Sequence, residues 1–476
     1  MPDSRFIAAA GYLPLLRFDR AIARKELRWS GLGAGGSGHR AVAGWDEDAL
    51  TMAIEAARGL GPAAPDRITF ATTSAPFIDR AQAALVAEAL GLPDSVSTLD
   101  VAGNRRAGVA ALVRALDSGT TDLIAAGEKR STQPGSAQHL AWGDGAAAVL
   151  VGPGPGVARL LARATVNLDL LDFVTTTARG LPYAAEDRFV RDQVVEAVYT
   201  PAIRQALASA GLSGDRVTLA VVPEPVSGIW KALMRPCGLS CANLAEEITQ
   251  RSGDLGAALP LFGLALALER AAPGDVILLA GFGNGADVLV LEVTAATATR
   301  SATDALTQGA ALTSYSRFLS LTGALALDWG PRAEVNQKVS ASTLVRHGHA
   351  MHGFIGGRDA GGNVQFPQTL IPVRPDATGP EPMAPVRLAD EPARLLSVTA
   401  DRLNFTPDPP FVFGLVQFDN GARVSMELCD TETAPPVGAP LRMRFRIKTI
   451  DRQRSFPTYF WKAAPVARPP LNAEKP

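Results

Sequence analysis

From the first residues to about position 295, short β-branched or apolar runs alternate with alanine-rich segments whose apolar positions recur at helical spacing, the pattern of an α/β protein. Asp48 to Leu60 sets Leu50, Ile54, Ala57 and Leu60 on one stripe and predicts a helix, and Arg67 to Thr72 follows as a buried strand. Helices are predicted over Ala81–Leu90 and Gly108–Leu116. Strands are predicted over Asp122–Ala126 and Ala146–Val151, the latter opened by the turn Gly143-Asp144-Gly145. The order then returns: helix Glu196–Leu212, strand Val217–Val222, helix Leu261–Arg270, strand Val276–Ala280, and strand Asp287–Val293 after a glycine-rich turn at residues 281–285. The same succession met twice implies an internal duplication, with halves at 1–155 and 156–295.

Residues 296–345 read as a connector with a helical piece around Ser314–Leu327. Over 346–476 the period changes to two, and prolines become dense after about residue 366. Leu395–Thr399, Phe411–Phe418 and Val424–Leu428 are predicted strands, the last two joined by the hairpin signal Asp419-Asn420-Gly421. Leu441–Ile450 alternates apolar and basic residues, so one face is expected in the core and the basic face in solvent. Several short strands in this span predict a small all-β barrel.

Composition narrows the function. Basic and acidic residues number 46 and 47, so no net field favours nucleic acid or an anionic membrane, and neither is expected as a partner. Three cysteines without a CxxC pair exclude a disulfide scaffold and fit a reducing compartment, which makes a cytoplasmic location the expectation. The apolar runs stop well short of the roughly 18 residues a membrane span needs, and no signal peptide is read at the N-terminus.

The isolated motifs carry little chemistry. Residues 31–38 contain a formal GxGxxG, but the charged stretch before it is not a strand, so a loop is expected rather than a dinucleotide site. His347, His349 and His352 form a cluster without carboxylate or cysteine at ligand spacing, and no metal is assigned to it; a solvated cluster is the plain expectation. Cys237 and Cys241 have only His139 as a distant candidate activator and read as buried free thiols.

Three stretches taken together resemble the thiolase superfamily and, within it, the 3-hydroxy-3-methylglutaryl-CoA synthase branch. They are Gly135-Ser-Ala-Gln138 with Trp142-Gly-Asp144-Gly-Ala-Ala-Ala-Val149, and Pro273-Gly-Asp-Val-Ile-Leu-Leu-Ala-Gly-Phe-Gly283-Asn-Gly285. Asp46-Glu-Asp48, Arg188-Phe-Val-Arg191-Asp192 and Tyr459-Phe-Trp461-Lys resemble bacterial members that carry a fused rubredoxin-like zinc ribbon and an OB-fold. The resemblance implies five α-β-α-β-α layers, coenzyme A thioesters as substrates with no other cofactor, a homodimer, and a cysteine nucleophile at the entry to a buried helix. In Asp100-Val-Ala-Gly-Asn104-Arg105-Arg106 that position is Arg105, and a guanidinium cannot attack a thioester. The general-base glutamate falls on Thr73, the histidine on Pro223 beside Glu224, and the asparagine on Asp254. The ribbon's cysteines fall on Arg358, Gly361, Ile371 and Arg374, so no structural zinc is expected.

Two readings follow. One is an acyl-CoA-binding enzyme that forms or breaks a carbon-carbon bond beside the thioester without an acyl-enzyme. It would use Arg105, Glu224, Asp254 and Asn284 as the catalytic set, with Thr73, Asn104, Gly283 and Gly285 lining the substrate. The other is a non-catalytic subunit that scaffolds or regulates a cysteine-bearing thiolase-type partner. Convergence of the four groups on an open pocket favours the first; a closed ion pair at Arg105 favours the second.

Overall fold

The computed structural model describes residues 4–31, 37–176, 178–329, 340–451 and 453–471. Most of the glycine-rich run 31–38, read above as a loop, lies outside the described residues.

The duplicated pattern becomes duplicated topology. One ten-stranded sheet contains, in spatial order, Ala242–Asn243, Leu219–Val221, Val276–Phe282, Gly285–Val293, Ala158–Asn167, Ser4–Tyr12, Gly145–Pro153, Asp122–Glu128, Arg67–Ala71 and Ser97–Val101. Outward from its middle, each side visits its strands in the same chain order. The halves join where Arg5 and Phe6 pair antiparallel with Arg159 and Ala158. Between the halves lie helices Ala107–Leu116 and Leu259–Arg270, whose apolar residues form one core with both. The second helix, LPLFGLALALER, is apolar nearly all round, as an element covered on every side must be. Gly108 allows its close approach, since a Cβ there would lie 2.4 Å from the Ala257 carbonyl oxygen. Helices Ala49–Arg58 and Gln82–Leu90 cover the outside of the first half, and Thr200–Ala210 and Ile229–Cys237 the outside of the second, which completes five layers.

The segment read as a connector is more ordered than its pattern suggests. It forms helix Ser301–Thr307, strand Ala310–Leu312 and helix Tyr315–Leu321, and the strand pairs in parallel with Leu16–Phe18 of the first half. Beyond helix Ala341–His352, strands Val364–Gln365, Ile355–Arg358 and Ala384–Arg387 make a small sheet. At the ribbon positions Arg374 pairs with Glu381 at 2.8 Å, and a Cβ on Gly361 would lie 3.1 Å from the Arg374 guanidinium. A barrel follows in the order Arg423–Glu427, Phe411–Phe418, Ala393–Asp401, Pro440–Asp451, Phe456–Pro465, and a bridge between Leu428 and Ala463 joins its ends.

Two expectations are corrected here. The basic face of Pro440–Asp451 is only partly solvated: Arg442 and Lys448 keep some exposure, but Arg444 and Arg446 are buried against the first half of the sheet domain. Arg446 reaches Glu47 at 3.1 Å, Asp430 at 3.0 Å and the Tyr12 hydroxyl at 2.9 Å, and Arg444 pairs with Glu55. Lys462 bridges Asp46 and Glu427, each at 3.0 Å, and the Tyr459 hydroxyl donates to Asp48 at 2.7 Å. Asp48 also caps helix Ala49–Arg58 in a reciprocal box with Thr51, so barrel and cap share one carboxylate. Polarity period identifies a face but not what covers it. The histidine cluster is likewise not wholly solvated: His352 is buried, with Nδ1 2.8 Å from Glu88, while His349 is exposed.

This interface predicts acid sensitivity. Burial alone would raise the Glu55 carboxyl, but Arg444, Arg58 and Arg446 outweigh it and bring the folded value to about 2 from an ordinary 4.5. A depressed acid stabilises the fold above its unfolded pKa, and that stability is lost as pH falls through the folded one. Denaturant midpoints are therefore expected to fall between pH 4.5 and about 2, and Glu55→Gln to flatten that decline.

Candidate functional site

Strand Ser97–Val101 ends at the turn that feeds helix Ala107–Leu116, and this turn carries Arg105. Gly103 at φ +107 turns the chain, and the Asn104 side-chain oxygen accepts from the Arg106 N–H at 2.9 Å. The Arg105 guanidinium bonds to Asp172, lies 3.5 Å from Asp254, and stacks at 4.6 Å on Phe173 and 5.6 Å from the ring centre of Phe282. Its side chain is 11% exposed. Burial alone would lower its pKa, and the carboxylates of Asp172 and Asp254 more than offset this, so the cation is fixed.

Asp254 is held from three directions. Its Oδ1 accepts from the Gly256 N–H at 2.7 Å, Arg130 stands 3.7 Å away, and Arg105 approaches Oδ2. Burial pushes its carboxyl up, but Arg130 and Arg105 prevail and hold it below the ordinary value. Arg130 lies over the Trp142 ring at 4.1 Å. Beside it Glu128, wholly buried, accepts from the Thr73 N–H at 2.9 Å, the Ser74 hydroxyl at 2.7 Å and the Ala257 N–H at 3.1 Å, with burial raising its pKa. Among Arg105, Pro223, Asp254 and Phe282 a cavity of only about 10 Å³ is left, room for one water.

The remaining sequence-predicted residues are placed elsewhere or serve the backbone. Glu224 does not join Arg105: it accepts from the Trp230 N–H at 2.9 Å at the start of helix Ile229–Cys237, and burial with the nearby Glu246 raises its pKa to about 7. The side chain of Asn284, at φ +50, donates to Asp169 at 3.0 Å. Thr73 is bound to Glu128, and Gly283 packs against Asn104, whose oxygen a Cβ would meet at 2.8 Å. Of the proposed catalytic four, only Arg105 and Asp254 meet. His139 is buried, its ring nitrogens 3.2 Å from the Thr132 hydroxyl and 3.4 Å from that of Tyr315. Burial raises the thiol pKa of both Cys237 and Cys241. Among the described residues no group of three or more His, Cys, Asp or Glu side chains is arranged to hold a metal, and no helix is long and apolar enough to cross a membrane.

Asp172, Phe173, Arg130 and Glu128 escaped the sequence reading. Only Glu128-Lys129-Arg130, charges abutting the apolar strand Asp122–Glu128, offered a signal. Gly285, by contrast, is dictated locally: at φ +114 a Cβ would lie 2.1 Å from the Val166 carbonyl oxygen. Gly285→Ala is expected to cost more than ~1 kcal/mol, seen as a lower thermal midpoint.

Five layers of duplicated topology, with a turn-borne residue at the head of a central helix, define the thiolase-like class. Solved structures of that class superpose on it. FabH, the 3-oxoacyl-(acyl carrier protein) synthase III of Pseudomonas aeruginosa, does so with a TM-score of 0.52 at 20% identity, over 62% of this chain and 98% of its own. MvaS in complex with 3-hydroxy-3-methylglutaryl coenzyme A does so with a TM-score of 0.53 at 18% identity, over 64% and 86%. In sequence, hydroxymethylglutaryl-CoA synthase of Aeropyrum pernix is 29% identical over 295 residues, 58% of this chain and 80% of its own. That of Pyrococcus furiosus is 27% identical over 301 residues, 60% and 85%. Residues 385–446 match the family model of the ChsH2 C-terminal OB-fold domain. Over about three-fifths of its length the chain is thus similar in sequence to hydroxymethylglutaryl-CoA synthases, and a C-terminal OB-fold domain follows.

Proposed function

We propose that this chain is a thiolase-fold subunit that makes no acyl-enzyme of its own and supports a cysteine-bearing enzyme of the same fold. One observation carries the reading: Arg105, at the position the resemblance assigns to the nucleophile, is closed by Asp172 and Asp254 and leaves about 10 Å³ beside it. A thioester carbonyl with its pantetheine arm needs a far larger opening. The strand Ser97–Val101, at one end of the sheet with Leu99 exposed, offers an edge that no strand of the described residues pairs with and on which a second thiolase-fold chain can add. Such an edge suits either a second copy, as a homodimer, or the catalytic partner.

A second reading rests on Glu224. A carboxyl with a pKa of about 7, beside the position that matches the family's histidine, suits a general base for aldol chemistry on a bound acyl-CoA. Intact-mass spectra and calorimetry with acetyl-CoA and longer acyl-CoAs separate the two. The subunit reading expects no acyl adduct and no turnover by the chain alone, together with a change in kcat or KM when it is mixed with a cysteine-bearing hydroxymethylglutaryl-CoA synthase or thiolase from the same source. Carbon-carbon cleavage or condensation by the chain alone, lost in Glu224→Gln, overturns it in favour of the second.

A further inference from the structure

A cleft of about 590 Å³ opens between the barrel and the sheet domain, within the size range of small-molecule sites. It is remote from Arg105. Leu123 in its lining lies near the start of strand Asp122–Glu128, whose other end carries Glu128 beside the Arg105 cluster, and five residues of strand span about 17 Å. Its lining is mixed: Leu90, Leu92 and Leu123 give apolar surface, Arg387 lies against the same segment with its guanidinium 2.7 Å from the Ala89 carbonyl oxygen, and Arg58, Arg442 and Arg444 add three more cations.

These cations differ in what they hold. Arg58 lies 3.3 Å from Glu55 and 3.2 Å from Asp390, Arg387 lies 2.8 Å from Asp390, and Arg444 pairs with Glu55 and lies 3.4 Å from Asp430. Arg442, half-buried on the same face of strand Pro440–Asp451 as Arg444, has among the described residues neither an ion pair nor an acceptor for its buried Nε–H. Burial and the neighbouring Arg444 and Arg468 lower its pKa to about 10, the mark of a cation short of counter-charge. Four guanidiniums against the carboxylates of Glu55 and Asp390 leave the cleft positive.

We propose that this cleft binds a small amphipathic anion, its phosphate or carboxylate head paired with Arg442 and its hydrocarbon part laid on Leu90, Leu92 and Leu123. A planar fork of donors meets such a head in charge-assisted hydrogen bonds, and the head supplies the counter-charge that Arg442 lacks. The three leucines give the hydrocarbon a surface to cover, so the head and the tail of the ligand are each recognised by part of the lining.

The test is calorimetry and thermal melting of the full chain with decyl phosphate and decanoate, below their micelle concentrations, and with inorganic phosphate. Decyl phosphate or decanoate is expected to bind and to raise the thermal midpoint, and the tighter of the two identifies the head group. Arg442→Met keeps the side-chain stem and removes the charge. Without ligand it is expected to melt no lower than the natural protein, because an unpartnered cation is lost, and to bind at least about tenfold more weakly. Should that variant not fold, Arg442→Gln carries the same comparison. Binding undiminished in the variant, inorganic phosphate as tight as decyl phosphate, or no binding of any probe overturns the proposal.

Discussion

Arg446→Met is expected to cost about 3–5 kcal/mol of stability, the usual result of removing one partner from a buried charge pair. Arg446 is wholly buried and serves Glu47, Asp430 and Tyr12 at once. Its loss is felt unequally. Asp430 keeps Arg468 at 2.7 Å and Arg444 at 3.4 Å, whereas Glu47 keeps the Tyr12 hydroxyl at 2.6 Å and the Gly44 N–H at 2.9 Å but, among the described residues, no other cation. The damage should therefore concentrate on Glu47. In a double-mutant cycle Glu47→Gln with Arg446→Met is expected to cost clearly less than the two single changes added together. Urea denaturation followed by tryptophan fluorescence reads both, and a loss below about 1 kcal/mol for Arg446→Met would show the interface to be wetter than this packing implies.

Arg105→Leu is the second large effect expected, and its size decides how the former nucleophile position is understood. Asp172 takes its side-chain ion pair from Arg105, while Asp254 retains Arg130 and the Gly256 N–H. A loss of about 3 kcal/mol or more is expected from the orphaned Asp172. Asp172→Asn in the Arg105→Leu background should return much of it. If Arg105→Leu were instead neutral in stability but abolished a measurable acyl-CoA reaction, the guanidinium would be a working part of a site and not its plug.

How much of this could be read beforehand follows from what each level of structure depends on. The strands at 67–72, 122–126 and 276–280 and the helices at 48–60 and 261–270 lie close to Arg67–Ala71, Asp122–Glu128, Val276–Phe282, Ala49–Arg58 and Leu259–Arg270, because burial periodicity is local. The helix expected over 196–212 begins earlier, at Asp187, and passes through a π segment at Val194–Tyr199 before Thr200–Ala210, a register change that propensity does not encode. At the site, Arg105 and Asp254 were legible because the family's motifs frame them. Glu224 and Asn284 were named from the same motifs but are occupied with a helix start and with Asp169. Asp172 and Arg130 were invisible: each matters only through a partner dozens of residues away, and Leu170-Leu171-Asp172-Phe173 carries no pattern that distinguishes its aspartate from any loop aspartate.

The ion-paired seam between barrel and sheet domain also sets an order of events during synthesis. Asp48 and Tyr459 are 411 residues apart, and Tyr12 and Arg446 are 434 apart. A ribosome adding about 5–20 residues per second leaves Asp46, Glu47 and Glu55 without the barrel's cations for some tens of seconds. Through that interval helix Ala49–Arg58 has its cap and the internal pair of Glu55 with Arg58 but neither Arg444 nor the barrel as cover, and its flank is open to any other arginine-bearing strand. The nascent first half is thus a ready client for a chaperone, and maturation ends only when the strand Phe456–Pro465 brings Tyr459 and Lys462 into place.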